Sequence, residues 1–394
     1  MKPLRKVAVL IETSREPGRD LLRGVMRFYQ ENPNWSVYFQ QQHLGAALPR
    51  WINSWRGDGI LARVNDRKTA AALIKTTLPL IDLRGGAHEL GHPLFGTDNS
   101  SVARLAYEHL ASCGLKTFAF VGEPTGRHVY DDERRDMFVK FVQNHNAECH
   151  VFTNNSNKRA ALSWDAHQNQ LARWLTRLPK PVGVLCCHDD RGQQVLDACR
   201  RAELHVPDDV AVMGVDNDEF LGRLAVPPLT SIDIGSERIG YDAASLLNRL
   251  MDGETTFKKS VLHDALGVVK RQSTDVISCE DSEVARALRF IREHACNHIS
   301  VDDVQRQVHL SRTLLNRRFK KYIGRPPKQE ILHVQIETGR QLLIASPAPL
   351  QAIAEQCGFR EAWYFIAVFR KFIGLTPGAY RAKYGININP ARIR

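Results

Sequence analysis

The chain has 394 residues, enough for two or three domains at roughly 100 to 200 residues each. Its 43% hydrophobic and 25% charged residues are the composition of an ordinary globular protein, which excludes a disordered chain, and no stretch approaches the roughly 20 apolar residues that span a bilayer. The net charge of +11 is unevenly held: residues 281–394 carry 19 Lys/Arg against 9 Asp/Glu, and residues 1–280 carry 35 against 34, so a basic, phosphate-seeking surface is expected in the last segment.

Basic residues precede Val7 to Ile11, but that apolar run is too short for a signal sequence and reads as a first strand. Further strand-like runs lie at Ile60 to Val64, Leu80 to Leu83, Thr117 to Val121, Val182 to Cys187 and Val210 to Val215. Helical patterns at Asp20 to Glu31, Val102 to Cys113, Arg134 to Asn146 and Gly192 to Ala202 alternate with them. Such alternation predicts parallel α/β sheets, and the length of the region predicts two lobes. Ligands of such folds sit in the crevice at the carboxyl ends of the strands. Three polar groups fall there: Arg134, beyond the strand that ends at Gly122; His188-Asp189-Asp190-Arg191; and Asp216-Asn217. Carboxylates and a guanidinium converging on one crevice suit a polyhydroxylated ligand, although each acid alone is also a common helix cap.

His88-Glu89-Leu90-Gly91-His92 has the HExxH spacing of a zinc protease. Gly85-Gly86, Gly91 and Pro93 break the helix that this chemistry needs, so the segment reads as a loop. Cys186-Cys187-His188 lies in a strand, where neighbouring side chains face opposite ways, and no metal site is expected. Cys113, Cys149, Cys186, Cys187, Cys199, Cys279, Cys296 and Cys357 lack CxxC pairing and read as reduced thiols of a soluble, cytoplasmic protein.

The last segment contains a duplication. Phe319-Lys320-Lys321-Tyr322-Ile323-Gly324 with Pro327 matches Phe369-Arg370-Lys371-Phe372-Ile373-Gly374 with Pro377. In the first copy, Ser300-Val301-Asp302-Asp303 has the form of a capping box. A break at His309-Leu310 leads to Ser311, an N-cap for a second helix that carries Leu315 and Phe319 on one face and closes at Gly324. The second copy has a helix over Leu350 to Cys357, a turn at Gly358 and a longer helix from about Glu361 to Ile373. Gln329 to Ala345 reads as a connecting helix. Each copy is thus a helix-turn-helix whose second helix enters a major groove. Thr313, Asn316 and Arg317 face solvent and suit base edges, while Lys320, Lys321, Arg370 and Lys371 suit phosphates.

On these residues the resemblance is specific. Ile353-Ala354-Glu355-Gln356-Cys357-Gly358-Phe359, Tyr364-Phe365, Phe369-Arg370-Lys371, Gly374-Leu375-Thr376-Pro377 and Tyr380-Arg381 resemble the signature of AraC-type DNA-binding domains. That family's base-reading positions fall on Thr313, Asn316 and Arg317 in the first unit and on Ala362, Trp363, Ile366 and Ala367 in the second. The second set is apolar, so the first is expected to supply most hydrogen-bonded readout. Gly339 stands where the family has alanine and Gln335 where it has arginine; a helical glycine predicts looser placement of the two units. Val206 to Asn217, Pro228-Leu229-Thr230-Ser231-Ile232, Ile239 to Ala244, and Thr97-Asp98-Asn99 with Glu108-His109-Leu110 resemble the effector core of LacI-type repressors and periplasmic sugar-binding proteins. The resemblance implies sugar contacts at Arg134, Asp189 and Asp216, with His188 where an asparagine is usual.

A LacI-like core followed by an AraC-type tail resembles bacterial regulators of xylose catabolism, with further support from Arg271-Gln272-Ser273-Thr274-Asp275 and Ile291-Arg292-Glu293-His294-Ala295-Cys296. The expected fold is an α/β two-lobed periplasmic-binding-protein-like core plus an all-α domain with two helix-turn-helix units. Expected boundaries are 1–275 for the sugar domain, 276–282 for a linker, 283–384 for the DNA-binding domain and 385–394 for a tail. The resemblance implies a non-enzymatic, D-xylose-responsive activator, acting as a homodimer on operator DNA with RNA polymerase as partner and no cofactor. A response to another sugar and an α/β enzyme or metalloprotease are the rival readings.

Overall fold

The computed structural model describes residues 4–41, 48–64, 67–84, 92–152, 163–276 and 281–384. Most of the expected linker, the tail at 385–394 and all of the HExxH segment except His92 lie outside the described residues. The chain packs as two compact units, Met1–Val276 and Ile277–Arg394.

The first unit contains two six-stranded sheets. Its elements run β1 (Arg5–Leu10), α1 (Glu16–Glu31), β2 (Trp35–Phe39), β3 (Gly59–Ala62), α2 (Arg67–Ile74), β4 (Leu80–Asp82), β5 (Leu94–Thr97), α3 (Asn99–Ser112), β6 (Thr117–Val121), α4 (Val129–Asn144), β7 (Glu148–Phe152), α5 (Trp164–Arg177), β8 (Val182–Cys186), α6 (Asp189–Arg201), β9 (Val210–Val215), α7 (Glu219–Leu224), β10 (Thr230–Asp233), α8 (Ser236–Met251), β11 (Ser260–His263) and β12 (Gly267–Val269). The first sheet has the order β11-β5-β4-β3-β1-β2, with every neighbouring pair parallel. The second has the order β12-β10-β9-β8-β6-β7 and is parallel except for β12. The chain passes between sheets three times, after β5, after β10 and after β11.

Strands buried on both faces read as unbroken apolar runs, and period-2 alternation divides their side chains between two cores. In the second lobe Val182, Val184, Val210 and Val212 join one core, while Leu185, Cys187, Ala211, Met213 and Val215 join the other. In the first lobe Val7, Val9 and Leu61 separate in the same way from Ala8, Leu10 and Ile60. The helices α1 and α8 lie backbone to backbone: a Cβ on Gly24 would meet Glu237 O at 1.9 Å, and one on Gly240 would meet Leu21 O at 2.1 Å.

The second unit is all helical, with α9 (Ser282–His294), α10 (Val301–Arg306), α11 (Arg312–Ile323), α12 (Pro327–Ala345), α13 (Leu350–Gln356), α14 (Ala362–Ile373) and α15 (Pro377–Tyr384). The Ser300/Asp303 capping box forms, and Ser311 accepts from the Leu314 N–H at the start of α11. Two small cores share α12: Ile331 packs with Val304, Leu315 and Phe319, and Ile336 with Ile353, Phe365 and Phe369. Buried Gln335 stands between them and donates to Ala295 O at 2.8 Å and Gly358 O at 3.4 Å.

Gly339 corrects the expectation of looseness. A Cβ there would lie 2.8 and 2.9 Å from the Phe365 ring, so its absence lets α14 press against α12 rather than freeing the joint.

Overpacking costs about 1 to 3 kcal/mol, so Gly240→Ala is expected to destabilise the ligand-free full chain by about that much or more, seen as a lower thermal midpoint. An unchanged midpoint would mean that α1 and α8 separate at no cost.

Candidate functional site

The facing strand ends of the two lobes enclose a cavity of about 90 Å³, lined among others by Arg15, Arg63, Arg84, Asn99, Tyr130, Arg134, His188 and Asp216. Arg15, Arg63 and Arg84 follow β1, β3 and β4; His188 and Asp216 follow β8 and β9. The lobes are latched beside it: Arg15 Nε lies 2.7 Å from Asp190 Oδ2, and Arg19 Nη2 lies 3.6 Å from Asp218 Oδ2.

Arg134 sits in the second turn of α4 and is 5% exposed. Its Nε donates to Asn99 Oδ1 at 3.0 Å and its Nη1 to Cys187 O, which fixes the guanidinium against the cavity wall. Asp216 has φ +107°, a conformation that non-glycine residues rarely hold and that is characteristic of functional positions. Burial pushes its carboxyl up to about 6 against the opposing pull of Arg134, Arg63, Arg15 and Arg84. Both residues line the cavity, as the sequence predicts.

Asp189 does not, and the expectation of direct contact is corrected accordingly. It is 1% exposed, and both its oxygens are occupied within the protein: Oδ1 accepts from Ser231 Oγ at 2.6 Å and Oδ2 from the Asp218 N–H at 2.7 Å. A Cβ on Gly214 would meet Oδ1 at 2.0 Å. Asp189 therefore braces the loop that carries Asp216 from beneath. His188 takes the capping task expected of an asparagine, with Nδ1 accepting from the Arg191 N–H at 3.2 Å. Burial pushes its pKa down to about 3, so the ring is neutral, and Nε2 faces Glu123 Oε1 at 3.4 Å. Burial alone would raise the Glu123 carboxyl, but His188, Arg191 and Arg127 outweigh it and hold the group well below the usual range.

Sequence reasoning missed Arg15, Arg63 and Arg84. Their signal was position alone, since each closely follows an apolar strand run. Asp131, Cys187 and His188 bring one ligand-type atom each within 4.8 Å. Burial, with the carboxylates of Asp131 and Glu123, drives the pKa of Cys187 well up against the pull of Arg191 and Arg134, so the group is held as a thiol and not as the metal-binding thiolate.

In the helical unit, Leu315 and Phe319 face the core, while Thr313, Arg317, Lys320 and Lys321 form an exposed stripe with half-buried Asn316 beside it. On α14, Phe365, Val368 and Phe369 are buried. Trp363, Ala367, Arg370 and Lys371 are exposed, Trp363 by 69%, and Ala362 and Ile366 are half-buried. Each longer helix thus turns most of the residues expected to meet DNA away from its core, while Ala362 packs against the core of the second unit.

Residues 6–93 match the model of the XylR N-terminal domain, residues 107–274 that of the periplasmic binding protein-like domain, and residues 304–383 that of a helix-turn-helix domain. The xylose operon regulatory protein of Escherichia coli strain K12 is 31% identical over 383 residues, covering 95% of this chain and 96% of that one. The chain belongs to the xylose operon regulatory protein family. The Haemophilus influenzae member is 30% identical over 382 residues, 95% of this chain and 98% of that one. A solved structure described as the xylose-binding transcription activator xylR superposes with a TM-score of 0.82 at 30% identity, covering 98% of this chain and 99% of that one. A transcriptional regulator CelR–cellobiose complex, 20% identical over 69% of this chain and 86% of that one, shares the fold of the core at a TM-score of 0.56. Members of the xylose operon regulatory protein family are transcription regulators, not enzymes, and this chain is a DNA-binding regulator with a sugar-binding domain. No helix among the described residues is long and apolar enough to cross a membrane.

An acid whose folded pKa lies above its unfolded value loses native-state stability as pH rises between the two. For Asp216 that window runs from 3.8 to about 6. Asp216→Asn removes this loss, so the ligand-free variant is expected to gain on the parent as pH rises from about 4 to about 6, by no more than about 3 kcal/mol at 1.36 kcal/mol per pKa unit. Thermal midpoints of both proteins across that range check it, and a gap that does not widen with pH contradicts it.

Proposed function

We propose that the chain is a cytoplasmic transcription activator of pentose catabolism that closes its two lobes on D-xylose. The reading is carried by the cleft: buried polar atoms of Arg63, Arg84 and Tyr130 on its lining have no hydrogen-bond partner among the described residues, and unpaired buried polar groups are costly until a ligand satisfies them. D-xylose is the sugar named by the relatives. Arg134 and Asp216 contact its hydroxyls, and Asp189 holds the Asp216 loop in place.

The output runs through the exit from the second lobe. Asn217, next to Asp216, accepts from Arg271 Nη2 at 2.8 Å, and Ser273 Oγ accepts from the Thr230 N–H at 2.8 Å and donates to Val212 O at 2.6 Å. A shift of the Asp216 loop is thereby passed to the segment leading to the helical unit. A homodimer then presents its tandem units to repeated operator half-sites and engages RNA polymerase. Thr313, Asn316 and Arg317 read bases by hydrogen bonds, Ala362, Trp363, Ile366 and Ala367 by apolar contact and shape, and Lys320, Lys321, Arg370 and Lys371 hold phosphates.

Titrating D-xylose into the full chain with its promoter DNA is expected to change both affinity and footprint; no change in either would end the sugar-switch reading. Arg317→Ala is expected to cost roughly 1 to 3 kcal/mol on the operator and relax discrimination, whereas Lys321→Ala weakens all sequences alike. Equal losses on specific and random DNA for Arg317→Ala would overturn its assignment.

A further inference from the structure

Helix α3 is bonded at one end to the crossings between the lobes and at the other to the exit from the second lobe. At its start Asp98 caps the helix through the Ser100 N–H, and its own N–H donates to His263 O at 2.8 Å. Ser101 Oγ accepts from the Ala265 N–H at 2.9 Å. Asp98 follows β5 and Ala265 follows β11, so this turn ties together the first and third crossings. Asn99, in the same turn, lines the cleft and accepts from Arg134. Ten residues on, about 15 Å along a helix, His109 Nε2 lies 2.7 Å from Thr274 Oγ1, and Cys113 Sγ donates to Thr274 O at 3.3 Å. Thr274 is fully buried in the exit segment, and its hydroxyl also lies 2.8 Å from Thr230 Oγ1. Burial, aided by the charge of Lys270, pushes the His109 pKa down, so at neutral pH the ring is uncharged.

We propose that His109 is a positioning residue for the sugar response: α3 is a lever between the crossings and the exit, and the His109–Thr274 bond passes its movement to the chain that leads to the helical unit. This rests on the sugar-switch reading and adds a second route beside the one through Asn217 and Arg271. Closure of the lobes turns the crossing strands, which hold the first turn of α3 by backbone and side-chain bonds, and a packed helix answers by a small slide or tilt. Val102, Ala103, Ala106 and Leu110 on its inner face are fully buried in one core, so movement at the first turn is carried along the whole helix. An apolar contact at the far end would let the exit slip past the helix. A buried hydrogen bond, costly to leave unmade, fixes the two together.

The test measures promoter-DNA affinity of the full chain with and without saturating D-xylose, and D-xylose affinity without DNA, for the parent, His109→Leu, His109→Gln and Thr274→Val. In His109→Leu the ratio of the two DNA affinities is expected to move about 3 to 10 times closer to unity, the worth of one hydrogen bond. Its D-xylose affinity is expected to stay within about twofold of the parent's. A glutamine amide reaches the place of Nε2, so His109→Gln is expected to keep the parent's ratio. Thr274→Val is expected to lose at least as much as His109→Leu, and the double variant no more than Thr274→Val alone. An unchanged ratio in His109→Leu or, should that variant not fold, in Thr274→Val overturns the lever and leaves the sugar switch standing. So do additive losses in the double variant, an equal loss in His109→Gln, or D-xylose affinity that falls in step with the ratio. A parent whose DNA affinity ignores D-xylose overturns both readings.

Discussion

Strand polarity is the constraint from which the effector-binding unit follows. A parallel sheet gathers all its carboxyl ends on one edge, and the loops that leave them carry whatever the strands cannot bury. Two such edges face each other here, so residues distant in sequence, such as Arg15, Arg63, Arg84, His188 and Asp216, line one small cavity. Their side chains stand on short connections from strands packed on both faces, which is why the site is rigid beneath and polar above.

Support for the site is polar as well. Asp189 commits its two carboxyl oxygens to Ser231 and a backbone N–H, and His188 commits one ring nitrogen to a helix end. Neither is free to meet a ligand through those atoms, yet both fix the loops from which ligand contacts project. Gln335 does similar work in the helical unit, where one amide nitrogen bridges the end of α9 and the turn before α14. In each case a buried polar group is retained because its partners are backbone atoms whose positions matter.

The fold was legible where burial was two-sided. The runs that form β1, β3, β6, β8 and β9 are continuous apolar stretches and read as strands directly. The edge strand β2 did not, because Val37, Tyr38 and Phe39 are exposed, and β11 and β12 hold side chains that are at best half-buried. In the site, the acids at strand ends were visible as acids, but sequence does not reveal which way a carboxylate points, and Asp189 turned inward. The arginines escaped notice because that residue type is ordinarily at the surface, and only packing decides when a guanidinium is enclosed. Gly339 misled for a related reason: helix propensity is a local quantity, and the ring of Phe365 that needs the space is 26 residues away in the chain.

The three passages of the chain between the sheets make the two units unequal as evolutionary parts. Neither lobe is a continuous segment: the first is completed by α8 and β11, which follow nearly all of the second. Recombination at any one point between β5 and β11 would therefore leave the first lobe unfinished, so point substitution around the cleft is the simpler route to a new effector. The helical unit is one uninterrupted stretch reached through a single covalent connection. A gene fusion can exchange it whole, so the DNA addressed and the ligand sensed are free to diverge at different rates and by different genetic routes.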